Sequence, residues 1–520
     1  MTDMLIRGAH VYLPSRRFAD RDVLLRNGAI QEVGKALNPA AGPDIQTIAA
    51  KGRTLMPAFF DSHTHFYTYA RSLSQLDVEH LRDINAFKAA VADYIHSHDQ
   101  EVILGRGWSK SIWNNRLPSL ADLDAVSDGR LVLLASKDAH SLFLNTRALT
   151  ALGITPQTRV NGGNIETDDT GRLTGIVSEK AVELAQPLLD RAMDLNQERI
   201  MDQIRHASKK LLAHGITGFY NVEKADAHRL LHTAEETGHL LQDWVCAVRP
   251  DELPWQDLPF AERVKGMKFF LDGALGNLEA SLLQDYSHKQ GHKGILYHDL
   301  RETRRLVELA RQHNLPVVVH AIGDRALQTV IQALRAAPAP ARDRWDQADR
   351  VEHCQLLYPA FQDQHVPWLI FSMQPCHLLN DIVPIGRFWA GEREQRAYAM
   401  RTLANCGYPL IFGTDLPIEP PDPFWGIYAA VARRTKDGFP RQGFYPNQAV
   451  TLKEAIDAYT TRPAGIYLAD RGIAAGNRAN MILLNQRLPE QGLPARSAAR
   501  LKVETVFLGD KIYTAETLGQ

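Results

Sequence analysis

Cysteine is scarce in this 520-residue chain: there are only four, and no two of them form a Cys-x-x-Cys pair. That spacing does not support a disulfide framework or a zinc site made of cysteines alone, so a reducing, cytoplasmic location is expected. Charge of either sign is not in excess, because 59 basic residues stand against 60 acidic ones. Binding to nucleic acid or to an anionic membrane surface is therefore not expected.

Long apolar runs are missing as well. No segment reaches the roughly 18 uncharged apolar residues that a membrane helix requires, and the N-terminus does not resemble a signal peptide. No Gly-x-Gly-x-x-Gly follows an early strand, which argues against a dinucleotide site. Hydrophobic residues nevertheless make up 45% of the chain, enough for a large buried core.

Both ends of the chain consist of short apolar or alternating runs that are separated by turn residues. This pattern predicts one small β-domain, formed by residues 1–56 together with residues 467–520. Between the ends, apolar segments alternate with stretches of helical period, as in βα units around a parallel sheet. Eight such segments are Leu55–His65, Ile216–Val222, Trp244–Arg249, Met267–Leu271, Val317–Ile322, Arg350–Gln355, Leu369–Met373 and Leu410–Asp415.

Eight strands of this kind predict an α/β fold with a closed barrel over residues 57–466, and a doubly wound open sheet is the alternative. Helices are predicted between most of the strands, at residues 197–214, 225–241, 300–313, 324–336 and 391–405. The connection after the first strand, residues 66–196, is too long for a βα loop and predicts an inserted subdomain. Such an insertion is expected at the catalytic mouth, where the loops that follow the strands gather.

Two histidines stand two residues apart at the end of the first apolar segment, His63 and His65. Residues at this spacing point to the same face of a strand, so both imidazoles can bind one metal ion. By itself the pair fits two hydrogen-bonded core histidines equally well. Three further segments end on a metal-competent side chain, namely His320, His353 and Asp415, and this coincidence favours a metal site.

Lys268 lies among apolar residues of the fourth segment. A buried ammonium is costly without a partner, so one interpretation is a salt bridge, with Asp272 as the candidate partner. The other is carbamylation by carbon dioxide, which converts the amine to a carboxylate that can bridge two metal ions. The sequence fits both interpretations, and the rest of the site favours the second.

With these residues in place, the chain resembles the metal-dependent amidohydrolase superfamily, specifically the YtcJ-like branch that includes N-substituted formamide deformylases. The resemblance runs along nearly the whole chain. Its motifs, in order, are His63-Thr64-His65, Gly105-Arg106-Gly107-Trp108, Asp138-Ala139-His140-Ser141, Met267-Lys268, His320-Ala321-Ile322-Gly323-Asp324, Glu352-His353, Ser372-Met373-Gln374-Pro375-Cys376-His377 and Gly413-Thr414-Asp415.

The resemblance implies a TIM-like (β/α)8 barrel, with a small β-sandwich domain built from both chain ends and an insertion after strand one. It implies six metal ligands: His63, His65, Lys268, His320, His353 and Asp415. Zinc is the expected ion, as one or two ions, depending on whether Lys268 is N6-carboxylated. In the implied mechanism the metal acidifies a bound water, Asp415 takes its proton, and the hydroxide attacks a polarised carbonyl.

Three residues are candidates for contact with the substrate. His377 follows strand seven and is expected to contact the substrate or the developing oxyanion, although it could equally face solvent. Trp108 and His140 belong to the insertion, and the resemblance suggests that they form part of the pocket wall. Trp108 could equally belong to the core of the inserted subdomain.

The predicted function is hydrolysis of a carbon–nitrogen bond in a small-molecule amide of the N-acyl or N-formyl type, by an enzyme for which a homodimer is the candidate assembly. Hydrolytic deamination and the opening of a cyclic amide are the alternatives on the same scaffold, because loops choose the substrate. A catalytically silent binding or scaffold protein is the alternative from another class. The intact set of ligand residues argues against that last alternative.

Overall fold

The computed structural model describes residues 3–38, 45–79, 81–108, 118–136, 141–161, 163–193, 197–337, 344–469 and 472–518. The chain divides into two compact units, one of Met1–Tyr69 with Ile204–Gln520 and one of Ala70–Gln203. None of the helices in the described ranges combines the length and the hydropathy needed to cross a bilayer.

An all-parallel sheet of eight strands forms the barrel of the first unit, and its strands are adjacent in the order in which they occur along the chain. They are β1 Phe59–Thr64, β2 Ile216–Asn221, β3 Asp243–Val248, β4 Val264–Phe270, β5 Val317–Ala321, β6 Asp349–His353, β7 Leu369–Met373 and β8 Leu410–Phe412. A parallel bridge between Thr64 and Leu416 joins the ends of β1 and β8, so the barrel is nearly closed. The prediction of a TIM-like barrel is confirmed.

Four of the five predicted helices are present, although the one predicted at residues 225–241 already ends at Glu236. The described residues contain sixteen α-helices. They are Phe66–Ser72, Ile84–Ser97, Leu120–Asp124, Thr146–Ala151, Gln186–Met193, Gln197–Ala213, Ala225–Glu236, Leu300–Gln312, Asp324–Ala336, Leu378–Phe388, Met400–Asn405, Pro423–Ala432, Leu452–Tyr459, Thr461–Tyr467, Ala495–Ala498 and Ala515–Leu518.

One predicted helix, residues 391–405, is wrong in its extent. The structure has a 3₁₀-helix at Gly391–Arg396 and a separate α-helix at Met400–Asn405. Between them Tyr398 adopts a left-handed backbone conformation with φ of 48°, and its N–H donates to the carbonyl of Gln355 rather than to a helical neighbour. A non-glycine residue in this conformation ends a right-handed helix.

A second sheet contains strands from both ends of the chain. Its strands run in the order Lys511–Thr514, Val503–Leu508, Asn480–Leu484, Thr54–Pro57, Met4–Leu13, Arg17–Arg26 and Ala29–Gly34, with Gln46–Ala49 beside Met4–Leu13. Val11, Leu55, Met481 and Phe507 meet in its hydrophobic core. The separation of these ends into a sandwich domain with the predicted boundaries stays a prediction.

The first predicted strand, Leu55–His65, is two strands in the structure. Thr54–Pro57 pairs with Asn480–Leu484 in the second sheet, whereas Phe59–Thr64 is β1 of the barrel. Ala58 separates them, and its N–H donates to the carbonyl of Asn480 at 3.2 Å. The continuous apolar run concealed this break, because both halves are fully buried.

The second unit has a mixed sheet. Its strands run in the order Gly163–Thr167, Leu173–Glu179, Ser141–Leu144, Leu131–Ser136, Val102–Trp108 and Leu76–Asp77. Phe87, Val91, Ile103 and Leu134 belong to one of its buried clusters, and Leu133, Leu142 and Leu149 to another. This unit therefore has a hydrophobic core of its own.

Candidate active site

Polar side chains follow the carboxyl ends of several barrel strands. His63 is near the end of β1, His353 is the last residue of β6, and Asp415 comes shortly after β8. All eight strands are parallel, so these ends lie at the same end of the barrel, which is where the active sites of such barrels are found. The fold therefore gathers residues that are far apart in sequence.

Two of these residues have an unusual backbone conformation. His353 and Asp415 have φ values of 69° and 61°, in the left-handed region that few residues other than glycine adopt. The N–H of Asp415 donates to the carbonyl of His63 at 2.9 Å, which holds this turn against β1. Conformations of this kind cost about 1–3 kcal/mol and concentrate at functional sites.

Asp415 is surrounded by imidazoles. Its Oδ1 lies 3.3 Å from Nε2 of His65 and 3.5 Å from Nε2 of His63. Its Oδ2 lies 3.7 Å from Nε2 of His377 and 4.0 Å from Nδ1 of His353. The His320 and His353 ring centroids are 4.4 Å apart, so His320 belongs to the same cluster.

Two sets of side chains have the spacing that a metal ion requires. One is His63, His65 and Asp415, and the other is His353, His377 and Asp415; within each set the ligand atoms lie within 4.8 Å of one another. Asp415 is common to both sets. His320 is in neither, and its Nε2 lies 3.6 Å from Oδ1 of Asp272.

Several buried atoms of this cluster have no hydrogen-bond partner among the described residues. They are Lys268 Nζ, His320 Nε2, His353 Nδ1, His377 Nε2 and Asp415 Oδ1. Buried polar atoms are almost always hydrogen-bonded, so such a group in one place needs an explanation. Imidazole nitrogens and carboxylate oxygens are, with cysteine sulfur, the ligand atoms that zinc prefers, so these residues fit a divalent metal ion.

The protonation of the cluster is suited to metal binding. Burial lowers the pKa of His63, and holds the pKa values of His320 and His353 well below the usual histidine value, so these imidazoles are neutral. Burial by itself would raise the pKa of Asp415, but its close contacts with His63, His65 and His353 hold that pKa well below its usual range. Metal ligands must be deprotonated, and these are.

Lys268 is completely buried in β4. Burial lowers the pKa of its amine to about 7, although the carboxylates of Glu352 and Asp415 act in the opposite direction. No carboxylate of the described chain lies within salt-bridge distance of its Nζ, and Asp272 instead accepts hydrogen bonds from the backbone N–H groups of Ser281, Ile322 and Gly323. The salt bridge to Asp272 that we considered is therefore wrong.

A buried ion pair orients His63. Its Nδ1 lies 2.6 Å from Oε2 of Glu352, so Nδ1–H donates to this carboxylate and Nε2 is left facing Asp415. Arg350 donates to Oε1 of Glu352 at 2.9 Å and to the carbonyl of Ser62 at 2.7 Å. Burial would raise the pKa of Glu352, but Arg350 and His63 bring it to about 2. A carboxylate behind a histidine is the usual way to fix the orientation of a metal-binding imidazole.

Asp61 connects β1 to the turn that carries Asp415. Its Oδ1 accepts hydrogen bonds from the backbone N–H groups of Thr414 at 2.9 Å and His63 at 3.2 Å, and its Oδ2 accepts one from the Thr414 hydroxyl. Gly413 lies beside it, where a Cβ would come within 2.6 Å of the backbone nitrogen of His63. Only glycine lets the two backbones approach so closely.

A cavity of about 330 Å³ opens beside the cluster. Its walls include His63, His65, His320, His353, His377 and Asp415, which are the predicted site residues apart from Lys268 and the two in the insertion. Phe270, Leu275, Ile322 and Ile418 provide apolar wall, and Gln355, Asp381 and Glu419 provide further polar groups. The volume is suited to a small molecule.

His377 is in the 3₁₀-turn Pro375–His377 after β7 and is 9% exposed. Its Nδ1 lies 3.4 Å from Nε2 of Gln355, whose amide N–H is the donor. That contact puts the imidazole proton on Nε2, which is the nitrogen on the side of Asp415. His377 can therefore donate a hydrogen bond inside the cavity.

The two candidates from the insertion have different outcomes. Trp108 is 4% exposed within a hydrophobic cluster of the second unit, and its indole N–H donates to the carbonyl of Leu134 at 2.6 Å. Its contact with substrate stays a prediction, as does that of His140, which lies outside the described residues.

Sequence reasoning missed Arg350, Glu352 and Asp61 as functional residues, although Glu352 was part of a motif. Their signal was charge within a strand that is buried along its length: Asp61 follows two phenylalanines in β1, and Arg350 and Glu352 flank Val351 in β6. A charged residue is rarely fully buried unless it is paired. Arg350 and Glu352 pair with each other within β6, but Asp61 also binds Thr414 and Glu352 also binds His63, and these distant contacts cannot be read from the local pattern.

A family model described as "Amidohydrolase family" matches residues 46–513. The chain therefore belongs to the amidohydrolase family, whose members act on small molecules, and it is a hydrolase of carbon–nitrogen bonds. The predicted family and enzyme class are confirmed.

Among curated relatives, YtcJ of Bacillus subtilis (strain 168), an amidohydrolase by name, is 28% identical over 485 residues, which cover 89% of this chain and 90% of YtcJ. The N-substituted formamide deformylase of Arthrobacter pascens is 26% identical over 533 residues, 94% of each chain. These relatives assign the chain to the YtcJ-like branch.

A solved structure with the same fold is that of an uncharacterized metal-dependent hydrolase from Pyrococcus furiosus. It matches with a TM-score of 0.73 and 26% identity, over 94% of this chain and 100% of that chain. The histidine and aspartate side chains that could hold a metal ion here are consistent with the metal dependence of that hydrolase. The chain therefore belongs to a family of metal-dependent hydrolases.

Proposed function

We propose that this protein uses bound zinc to hydrolyse the carbon–nitrogen bond of a small amide of the N-acyl or N-formyl type. The proposal rests on one observation: around Asp415, beside a cavity of about 330 Å³, several buried nitrogen and oxygen atoms have no hydrogen-bond partner among the described residues. The relative that is a formamide deformylase by name supports the formyl class. A cytoplasmic location and a homodimer remain predictions.

His63, His65, His320, His353 and Asp415 would hold the metal, with Lys268 as a sixth ligand if it is carbamylated. When bound, a divalent ion lowers the pKa of a coordinated water and polarises the substrate carbonyl. Glu352 keeps Nδ1 of His63 protonated, so that Nε2 offers its lone pair to the site. Asp61 and the Asp415 N–H hold the ends of β1 and β8 together, which fixes Asp415 relative to His63.

Asp415 is the proton shuttle in this proposal. Its Oδ1 has no hydrogen-bond partner among the described residues, so it can accept the proton of the attacking water. The same carboxyl group then delivers that proton to the leaving nitrogen, which departs as a neutral amine. His377 donates a hydrogen bond from Nε2 to the substrate oxygen as negative charge develops there.

Lys268 has the properties of a lysine that reacts with carbon dioxide. With its pKa lowered to about 7, an appreciable part of the amine is neutral at neutral pH. The nitrogen lone pair attacks the carbon of CO2, a proton leaves, and the product is a carbamate anion. The carbamate replaces a positive charge by a negative one, which suits a site that would bind divalent metal ions.

Carbamylation is tested by adding ¹³C-bicarbonate to the metal-loaded protein and recording its ¹³C NMR spectrum. We expect a carbamate carbonyl signal that is absent from Lys268→Met. An unmodified ammonium in a crystal structure, salt-bridged to a carboxylate, would rule the modification out and with it the bridge between two metals.

The proposed reaction is tested with metal-loaded enzyme and a panel of formamides, N-acyl amino acids and cyclic amides, by measuring release of the acid and the amine. We expect turnover of at least one formamide or N-acyl compound. Metal is measured in parallel by elemental analysis of protein purified without chelator. Less than about half an equivalent of tightly bound metal would contradict the proposal, since a structural ligand set of this kind binds firmly.

A further inference from the structure

Two carboxylates of the cavity wall have no part in the proposed chemistry. Asp381 is on the helix Leu378–Phe388, and Glu419 follows β8 and is 9% exposed. We call these two residues the acidic wall. The cavity lining that the structure describes contains no lysine or arginine.

Each carboxylate of the acidic wall is held at one oxygen and free at the other. The Tyr398 hydroxyl donates to Oδ2 of Asp381 at 2.5 Å, and the Asn380 amide donates to Oε1 of Glu419 at 2.7 Å. Within the described ranges these are the hydrogen bonds of the two carboxylates, and none reaches Oδ1 of Asp381 or Oε2 of Glu419. Both donors are neutral, so they orient the carboxylates without neutralising them.

The ionised form of these groups is costly as the protein stands. Burial raises the pKa of Asp381 and of Glu419. The nearby His377 only partly offsets this effect for both groups, and Lys436, which does not line the cavity, does so for Glu419. A cation that enters the cavity would restore the charged form and gain a strong, charge-assisted hydrogen bond.

Gln355 provides a third acceptor in the cavity, and it is an observation independent of the two carboxylates. It is 4% exposed and lines the same cavity, but its Oε1 has no hydrogen-bond partner in the described chain. Its position is fixed, because its Nε2 donates to His377 and its backbone carbonyl accepts the N–H of Tyr398, the residue that also holds Asp381. A buried amide oxygen of this kind needs a donor.

All three open atoms are therefore acceptors, and they call for a group rich in N–H donors. A metal ion is not suited to the acidic wall, since neither Asp381 nor Glu419 belongs to a set of three closely spaced ligand atoms in the described structure. An alkylammonium group has the right chemistry, because it is a compact cation with three donors.

We propose that the substrate of this enzyme carries a cationic amino group, which binds to Asp381, Glu419 and the Oε1 of Gln355. The inference rests on the proposed function, because it assumes that the amide is cleaved in this cavity. It selects, among small amides, those that have a protonated amine on a short alkyl chain.

Binding of two isosteric hydroxamates to the metal-loaded holoenzyme tests this, since a hydroxamate can bind a metal ion and is not the proposed substrate. 5-Aminopentanehydroxamic acid carries the cation, and hexanehydroxamic acid replaces its ammonium by a methyl group. By calorimetry we expect the cationic ligand to bind about tenfold or more tightly, as for a hydrogen bond between charged groups. Glutaric acid monohydroxamate, which ends in a carboxylate, should bind more weakly than either.

Asp381→Asn and Glu419→Gln should each reduce the preference for the cationic ligand by about tenfold, because one charge of the acidic wall is lost. The hexane ligand reports in each variant whether the cavity is still intact. Glu308→Gln makes the same chemical change at an exposed position on the helix Leu300–Gln312, so it should leave the preference as in the wild type. Preference for the cation that survives in both cavity variants would overturn the proposal.

Equal affinities of the cationic and the methyl ligand, or no binding by either, would also overturn it. Hydrolysis is measured separately, with the amide panel described above. An enzyme that hydrolyses neutral amides but has no preference for the ammonium would contradict this inference alone, whereas a protein that selects the ammonium but hydrolyses nothing would contradict the proposed function alone.

Discussion

Polar side chains at the carboxyl end of the barrel fall into two groups that differ in their hydrogen bonds. One group, the open cluster, is Lys268, His320, His353, His377 and Asp415, and each of its members has a buried atom without a partner among the described residues. The other group, the supporting network, is Asp61, Asp272, Arg350 and Glu352. Every carboxylate in it accepts at least two hydrogen bonds from the protein.

The difference separates residues that hold the site from residues that act in it. A side chain of the supporting network cannot bind anything further without losing a protein contact. The open cluster has buried polar atoms without a partner among the described residues, and these atoms can contact a ligand. Changes in the supporting network should therefore appear in stability and metal affinity, and changes in the open cluster should appear in turnover.

The largest effect on stability is expected for Glu352→Gln. The change leaves the guanidinium of Arg350 buried without its counter-ion and weakens the acceptor for Nδ1 of His63. Breaking a buried ion pair costs about 3–5 kcal/mol. Denaturant unfolding should show a loss of this size, and metal affinity should fall by about tenfold to a hundredfold, as for other residues behind metal ligands.

The chain offers a matched control in Glu454→Gln. Arg401 donates to both carboxylate oxygens of Glu454, at 3.0 and 2.6 Å, but the side chains of this pair are about a quarter to a third exposed. The pKa of Glu454 is lowered to about 2, as is that of Glu352. We expect a loss of about 1 kcal/mol or less, because solvent screens an exposed pair. Equal losses in the two variants would remove the distinction that we draw for the supporting network.

Asp415→Asn should act on turnover and leave the fold in place. The amide keeps the size of the side chain but cannot shuttle a proton, so kcat should fall by about a hundredfold or more. Metal content, measured by elemental analysis, should stay near that of the wild type because the imidazoles remain. Turnover close to the wild-type rate would show that Asp415 is not the proton shuttle.

Gly413→Ala tests whether the close approach of β8 and β1 matters. A Cβ at this position would meet the backbone nitrogen of His63 at 2.6 Å, and backbone cannot move aside cheaply. We expect a loss of about 1–3 kcal/mol in the free energy of unfolding. Gly386→Ala is the control, since nothing lies within 4 Å of its Cβ in the helix Leu378–Phe388, and there alanine should be neutral or stabilising.

The sequence predicts the open cluster better than the supporting network, for a geometric reason. His63, His320, His353 and Asp415 each stand where an apolar run stops, and in a parallel barrel all such ends meet. That argument needs no knowledge of which strands are neighbours. The hydrogen bond from His63 to Glu352 joins residues 289 positions apart, and the one from Thr414 to Asp61 joins residues 353 apart. Such contacts depend on the register of strands across the barrel, which local patterns do not contain.

Local patterns also conceal breaks within an element. The predicted strand Leu55–His65 begins with an unbroken apolar run as far as Phe60, yet it serves two sheets, because the chain crosses from one to the other at Ala58. The sequence does not predict the acidic wall for a related reason. Tyr398, which orients Asp381, lies in residues 391–405, and the period of this stretch predicts one continuous helix.

Asp61→Asn should change the pH dependence of stability, which the other variants do not test. Burial raises the pKa of Asp61 from 3.8 to about 7. Between these two pH values the unfolded chain has lost the proton and the folded chain retains it, so stability falls as pH rises, by up to about 1.4 kcal/mol per pH unit. Asparagine removes this dependence, and the slope of unfolding free energy against pH between 4 and 7 should flatten. It should not vanish, because burial also raises the pKa of Asp272 to about 7. An unchanged slope would mean that Asp61 is ionised in the folded protein at pH 5. Its three hydrogen-bond donors would then outweigh the effect of its burial, and Asp61 would act in the supporting network as a charged carboxylate rather than as a neutral carboxylic acid.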